Sequence, residues 1–248
     1  MKKYESIDDI IAVKKSSIRF LNNTIEYYLN DGNNPRKAQL ICKWLKEFSN
    51  YIRFEDNFDA TRNIAYHRGD IIKVNFGFNI GSELGGVHYA IVIDNNNLHN
   101  SETLTVVPMS SFKPDKQLYP RDIYIGSEFY SLLHSKVARL KREVNEELVE
   151  SKRMSDALND SFDSLSDLKL QLKSKQKALQ DKLQYCNKCA DELSLMKGGS
   201  VIKVEQIRTV SKIRIWDPKN THDVLYGIKL SDATMNKISV RIKELFVH

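Results

Sequence analysis

Through the first 66 residues the apolar positions follow a helical period. Ile7, Ile11, Ile18, Leu21, Ile25 and Tyr28 form one stripe, residues 32–35 interrupt it, and Ala38, Ile41, Leu45, Phe48 and Ile52 form a second seam. The pattern predicts an N-terminal helical hairpin. After Arg68 the period shortens. IIKVNF, HYAIVID, LTVVPM, RDIYI and SVIKV are short β-branched or aromatic runs set off by Gly, Asn, Pro and Ser, as in a small, strongly bent sheet or barrel. Between Gly126 and Gly198 there is neither Gly nor Pro, and apolar residues return at helical spacing: Leu133, Val137, Leu140, Val144 and Leu148, then Leu165, Leu168, Leu172, Leu179 and Leu183. This reads as two long helices in an antiparallel hairpin turning near Asn159, Asp160 and Ser161, with arms of roughly 50 Å at 1.5 Å per residue. The closing SDATMNKISVRIKELF begins with a capping Ser231 and spaces Met235, Ile238, Ile242 and Leu245 on one helix face.

The fold class is therefore α+β. A β unit formed by residues 67–126 and 198–248 is preceded by helices (1–66) and split by a coiled-coil-like insertion (127–197). Composition fits a folded soluble chain, with 41% apolar and 28% charged residues. A formal charge of +6 suits a polyanionic partner without requiring one. Cys42, Cys186 and Cys189 follow no disulfide-framework spacing, which points to a reducing, cytoplasmic setting. The opening residues mix acids and bases unlike a signal peptide, and no apolar run approaches the ~18 residues of a membrane span. Cys186, Cys189 and His134 supply only three candidate metal ligands, so the cysteine pair reads as two small residues on a helix face.

Candidate chemistry gathers in GSELGGVHYAIVI, residues 81–93, where Gly, Ser, Glu and His precede a strand. A plain turn needs the glycines, not the carboxylate and the imidazole. Taken with RGD before it, TLTVVPMSS after it and EQIRT beyond the insertion, the stretch resembles the MazF/PemK toxins of bacterial toxin-antitoxin systems. The resemblance implies an SH3-like (MazF/CcdB-type) β-barrel, usually a homodimer, that cuts single-stranded RNA without metal or cofactor. The expected products carry 2′,3′-cyclic phosphate and 5′-hydroxyl ends, and an antitoxin protein holds such enzymes inactive. Carried onto this chain, the resemblance implies Glu83, His88 and Ser110 as catalytic residues, with Ser82, Gly85, Gly86, Ser111, Gln206 and Arg208 around the RNA. His88 stands where the family usually has Arg, and Ser110 where it has Thr.

The residue types suit the reaction. Attack of a ribose 2′-oxygen on the adjacent phosphorus needs a proton removed from the nucleophile, another given to the leaving 5′-oxygen, and donors for the phosphoryl oxygens. An imidazole exchanges protons near neutrality where a guanidinium does not. Two other readings stay open from the residues: a non-catalytic binding module resembling the gyrase-binding CcdB toxins, and a self-inhibited relative whose added helices lie across the groove.

Overall fold

The computed structural model describes residues 6–30, 34–159 and 165–247, with the side chains of 157–159 and 165–169 excepted. Of the turn expected near Asn159, Asp160 and Ser161, the last two residues lie outside the described residues, as do the side chains of Asn159, Leu165 and Leu168. The chain divides into two compact units, Met1–Phe58 with Gly77–Gly86, and Asp59–Phe76 with Val87–His248. Among the described residues no helix is long and apolar enough to cross a membrane.

The first unit holds α1 (Ile7–Asn30) and α2 (Pro35–Glu55). Asn34 starts α2 by accepting the Lys37 N–H at 3.1 Å, and Pro35 fills the first helical position, where no N–H is needed. The helices stop at Glu55 rather than running on to residue 66, because the apolar period ends there and Asp59 caps a short 3₁₀ turn at Ala60–Arg62. The seam of α1 is far less buried than its spacing suggests: it has no buried residue, and Ile7 and Ile18 are exposed. Ala38 and Ile41 of α2 are buried, and Lys37 reaches Tyr28 Oη at 2.6 Å. The loop Gly77–Gly86 belongs with these helices, and a Cβ added to Gly77 would meet the Trp44 indole at 2.7 Å.

The second unit is a seven-stranded antiparallel sheet. Its strands are β1 (Ile71–Asn75), β2 (Val87–Val92), β3 (Thr103–Ser111), β4 (Asp122–Tyr124), β5 (Ser200–Lys203), β6 (Arg208–Ser211) and β7 (Ile215–Asp217). They run in the order β4-β5-β3-β2-β1-β7, with β6 also on β3. The sheet is barrel-like but open, since β4 and β7 end this order without pairing to each other. Long β3 makes the bend. Its first half pairs with β6 and its last three residues with β5, and the 3₁₀ turn Val204–Gln206 takes up the change of register between those two partners.

The strands bury both faces. In register, Ile71, Ile91 and Val107 point to one side, and Ile72 and Ala90 to the other. The first side meets the insertion. Its helices are α3 (Glu128–Asn159) and α4 (Leu165–Leu195), and they run antiparallel: Lys175 bonds Glu150 at 2.7 Å while Lys182 bonds Glu147 at 2.7 Å and Glu143 at 2.9 Å. Phe129, Leu133, Val137, Leu140 and Val144 of α3 and Cys186 and Cys189 of α4 share one core with Ile91, Met109, Ile202 and Leu225. The near half of the hairpin is thus part of the second unit's core. Lys136, buried at the same level, donates to the carbonyls of Val224 (2.8 Å) and Tyr226 (2.7 Å). The C-terminal α5 (Asp232–Phe246), capped by Ser231, adds Met235 and Ile238 to the cluster.

Candidate functional site

A gap between β2 and β3 forms the cleft. The β2–β3 ladder sets Val92 opposite Val106 and Ala90 opposite Pro108, so two further steps along the same register bring His88 to the level of Ser110. Pro108 offers no N–H, and the ladder goes no further. On the other edge of β3 the sheet continues, with Ser110 opposite Val201 and Ser111 opposite Ser200. β1 holds the start of β2, with Val74 opposite His88. The two strand ends are therefore committed to different neighbours. Between them lies a cleft of about 260 Å³ bordered by His88, Ser110, Ser111, Lys73, Tyr89 and Glu192. His88 and Ser110 are half-buried and Ser111 is exposed.

The far wall of the cleft comes from the hairpin. Glu192, near the end of α4, accepts from Lys73 Nζ at 2.6 Å, and the Tyr89 hydroxyl donates to the same carboxylate oxygen, Oε1. The Lys73 ammonium also lies 5.5 Å from the centre of the Tyr89 ring, whose edge packs on Phe129 at 4.8 Å between centroids. Burial, then the Glu192 carboxylate, pushes the Tyr89 phenol far above its ordinary range, so it keeps its proton and remains a donor. Lys73, Tyr89 and Glu192 escaped the motif reading. The available signal was a charge inside an apolar pattern: Lys73 interrupts IIKVN, and Glu192 lies one turn from buried Cys189 and beside Leu193.

The other expected site residues are not among those that border this cleft. Ser82 and Glu83 are exposed in the Gly77–Gly86 loop, which groups with the first unit, whereas every residue of the cleft belongs to the second. That loop is closed on itself by Gly86 N–H to the Gly77 carbonyl at 2.6 Å and by Asn79 Nδ2 to the Leu84 carbonyl at 2.6 Å. At Gly85 a Cβ would come within 2.8 Å of the Gly77 carbonyl oxygen, so the loop's own closure requires glycine there. Arg208 stacks on Phe76, 5.1 Å from the ring centre, and donates to Gln206 Oε1 at 3.0 Å; neither borders the cleft. Arg68 and Asp70 are structural: Arg68 donates to the Ile93 carbonyl and to Ser239 Oγ, and Asp70 accepts the His67 N–H at 2.8 Å. Cys186 and Cys189 are buried in the core, and burial pushes the Cys189 thiol up. Among the described residues no three His, Cys, Asp or Glu side chains are grouped to hold a metal.

RGD thus precedes β1, a Gly-rich loop precedes β2 and a seryl pair ends β3. Residues 67–166 match the PemK-like, MazF-like toxin of type II toxin-antitoxin system family. The match covers β1–β4 and α3 and includes Lys73, His88, Ser110 and Ser111. Glu192, Gln206 and Arg208 fall beyond the matched span. No curated protein matches the chain.

Proposed function

We propose that the protein is the toxin of a type II toxin-antitoxin pair and acts as a metal-independent endoribonuclease on single-stranded RNA in the cytoplasm. The observation that carries this reading is the meeting of His88, Ser110 and Ser111 in one cleft of the PemK-like segment. In the reaction the ribose 2′-oxygen attacks the neighbouring phosphorus and the bond to the 5′-oxygen breaks. The 2′-hydroxyl proton goes to a base, and the leaving oxygen receives one. His88 serves as the general acid to the 5′-oxygen, and Ser110 and Ser111 donate to the phosphoryl oxygens. The resemblance assigns the base, or its orienter, to Glu83, which Glu83→Gln tests. It also assigns Ser82, Gly85, Gly86, Gln206 and Arg208 to the RNA path, a homodimer as the working state, and an antitoxin protein as the inhibitor.

The test is to incubate the purified protein with a mixed-sequence single-stranded RNA and map the ends. The expected result is 2′,3′-cyclic phosphate and 5′-hydroxyl termini, formed equally well in EDTA. Products with 5′-phosphate ends, or cleavage that stops in EDTA and returns with magnesium or zinc, would overturn the reading.

A further inference from the structure

The hairpin reaches into the cleft with a carboxylate. Glu192 Oε1 takes two donors at once, the Lys73 ammonium at 2.6 Å and the Tyr89 hydroxyl, and all three residues border the same cavity as His88 and Ser110. Lys73 and Glu192 are incompletely covered, with side chains 26% and 15% exposed. An ammonium and a phenol that converge on one carboxylate oxygen present the donor set that also binds one oxygen of a phosphodiester. The cavity is slightly smaller than the ~300 Å³ at which small-molecule sites begin, which suits a phosphate with part of its ribose better than a whole nucleotide.

We propose that Lys73 is a phosphodiester-binding residue of this cleft and that Glu192, delivered by the helical hairpin, is its built-in competitor, displaced when RNA enters. The proposal rests on the reading of the cleft as an RNA site. It assigns the insertion a direct part in substrate access. Lys73 lies on β1, within the PemK-like segment, and Glu192 lies outside it. The cation therefore belongs to the toxin-like sheet, and the hairpin supplies its mask.

The test uses the full chain as wild type, Glu192→Gln, Lys73→Gln, Lys73→Arg and the Lys73→Gln/Glu192→Gln pair, each checked for its fold by circular dichroism. Binding is measured by fluorescence anisotropy with a 2′-O-methyl single-stranded oligonucleotide, which lacks the nucleophile, over a series of salt concentrations. Cleavage is measured in parallel on the matching RNA. Glu192→Gln should bind about fivefold tighter, the scale of a part-exposed ion pair. Lys73→Gln should bind more weakly and lower the slope of log affinity against log salt by about 0.7, the share of one phosphate contact on a single strand. Lys73→Arg should keep the slope, and the double variant should behave as Lys73→Gln. Unchanged or weaker binding by Glu192→Gln, or an unchanged slope for Lys73→Gln, overturns the proposal while leaving the nuclease reading intact if RNA is still cut. The expected binding pattern without cleavage by any variant overturns the nuclease reading alone. Neither binding nor cleavage by any of the five proteins overturns both.

Discussion

Replacing residues 127–197 with a short Gly-Ser linker should unfold the second unit, although the change of period at both ends of that segment suggests a removable appendage. Phe129, Leu133 and Val137 on α3 lie almost wholly out of solvent in the same core as Ile91, Met109 and Leu225. At about 2 kcal/mol per buried side chain, those three contribute roughly 6 kcal/mol. Their loss also uncovers the sheet residues they face. The total is comparable with the ~5–15 kcal/mol that holds a whole domain together. Removing only residues 148–178 behind a four-residue turn is different. That deletion keeps every described core residue of the hairpin as well as the Lys182 bonds to Glu143 and Glu147, and gives up the exposed Lys175–Glu150 pair. The assay is thermal unfolding followed by far-ultraviolet circular dichroism. The short deletion should shift the midpoint by less than about 4 °C, equivalent to ~1 kcal/mol in a chain of this size. The full deletion should show no cooperative transition; a cooperative melt with native β signal in that variant would refute the argument that the hairpin root is core.

Three further outcomes are expected. His88→Ala should slow RNA cleavage by about a hundredfold or more with the fold intact, while His88→Arg should retain part of the activity; wild-type rates for the alanine variant would remove His88 from the mechanism. Gly85→Ala should lower thermal stability, because its Cβ would press on the Gly77 carbonyl at 2.8 Å, and an unchanged midpoint would show that the loop yields without cost. Asp217 accepts N–H bonds from Val224 (3.1 Å) and Leu225 (2.7 Å), and burial raises its pKa above 3.8. A raised carboxyl means the folded state holds its proton more tightly. Its contribution is full below about pH 3.8 and falls as pH rises through the raised value, so Asp217→Asn, neutral at every pH, should flatten that stretch of the stability curve in urea titrations. An unaltered curve would remove Asp217 from the linkage.

Legibility followed the range of the interactions. Helices α1 to α5 were readable because their apolar period, caps and breaks are local, down to Asn34 before Pro35 and Ser231 before α5. The short strands β6 and β7 were not separately legible, since three or four residues hold too few alternations and pairing with β3 and β1 decides them. The bareness of α1 was also invisible to spacing, which records which residues share a stripe and not what covers it. In the cleft, His88 and Ser110 stand in motifs lying near each other in sequence. Glu192 lies 119 residues from Lys73, and only the folded hairpin brings the two together.

The root of the hairpin also bears on how the chain folds. Ile125 donates to the Ser200 carbonyl and Ser200 to the Gly126 carbonyl, where β4 and β5 meet. Counted along the chain, joining those ends closes a loop of roughly 70 residues, which as flexible coil would cost about 1.7 kcal/mol more than closing ten. With α3 and α4 paired side by side, both ends already stand in one place. Given the hairpin, the β4–β5 ladder costs the entropy of a local contact, and so does the backing of Ser110 and Ser111 by Val201 and Ser200, although that strand lies some 90 residues further along the chain.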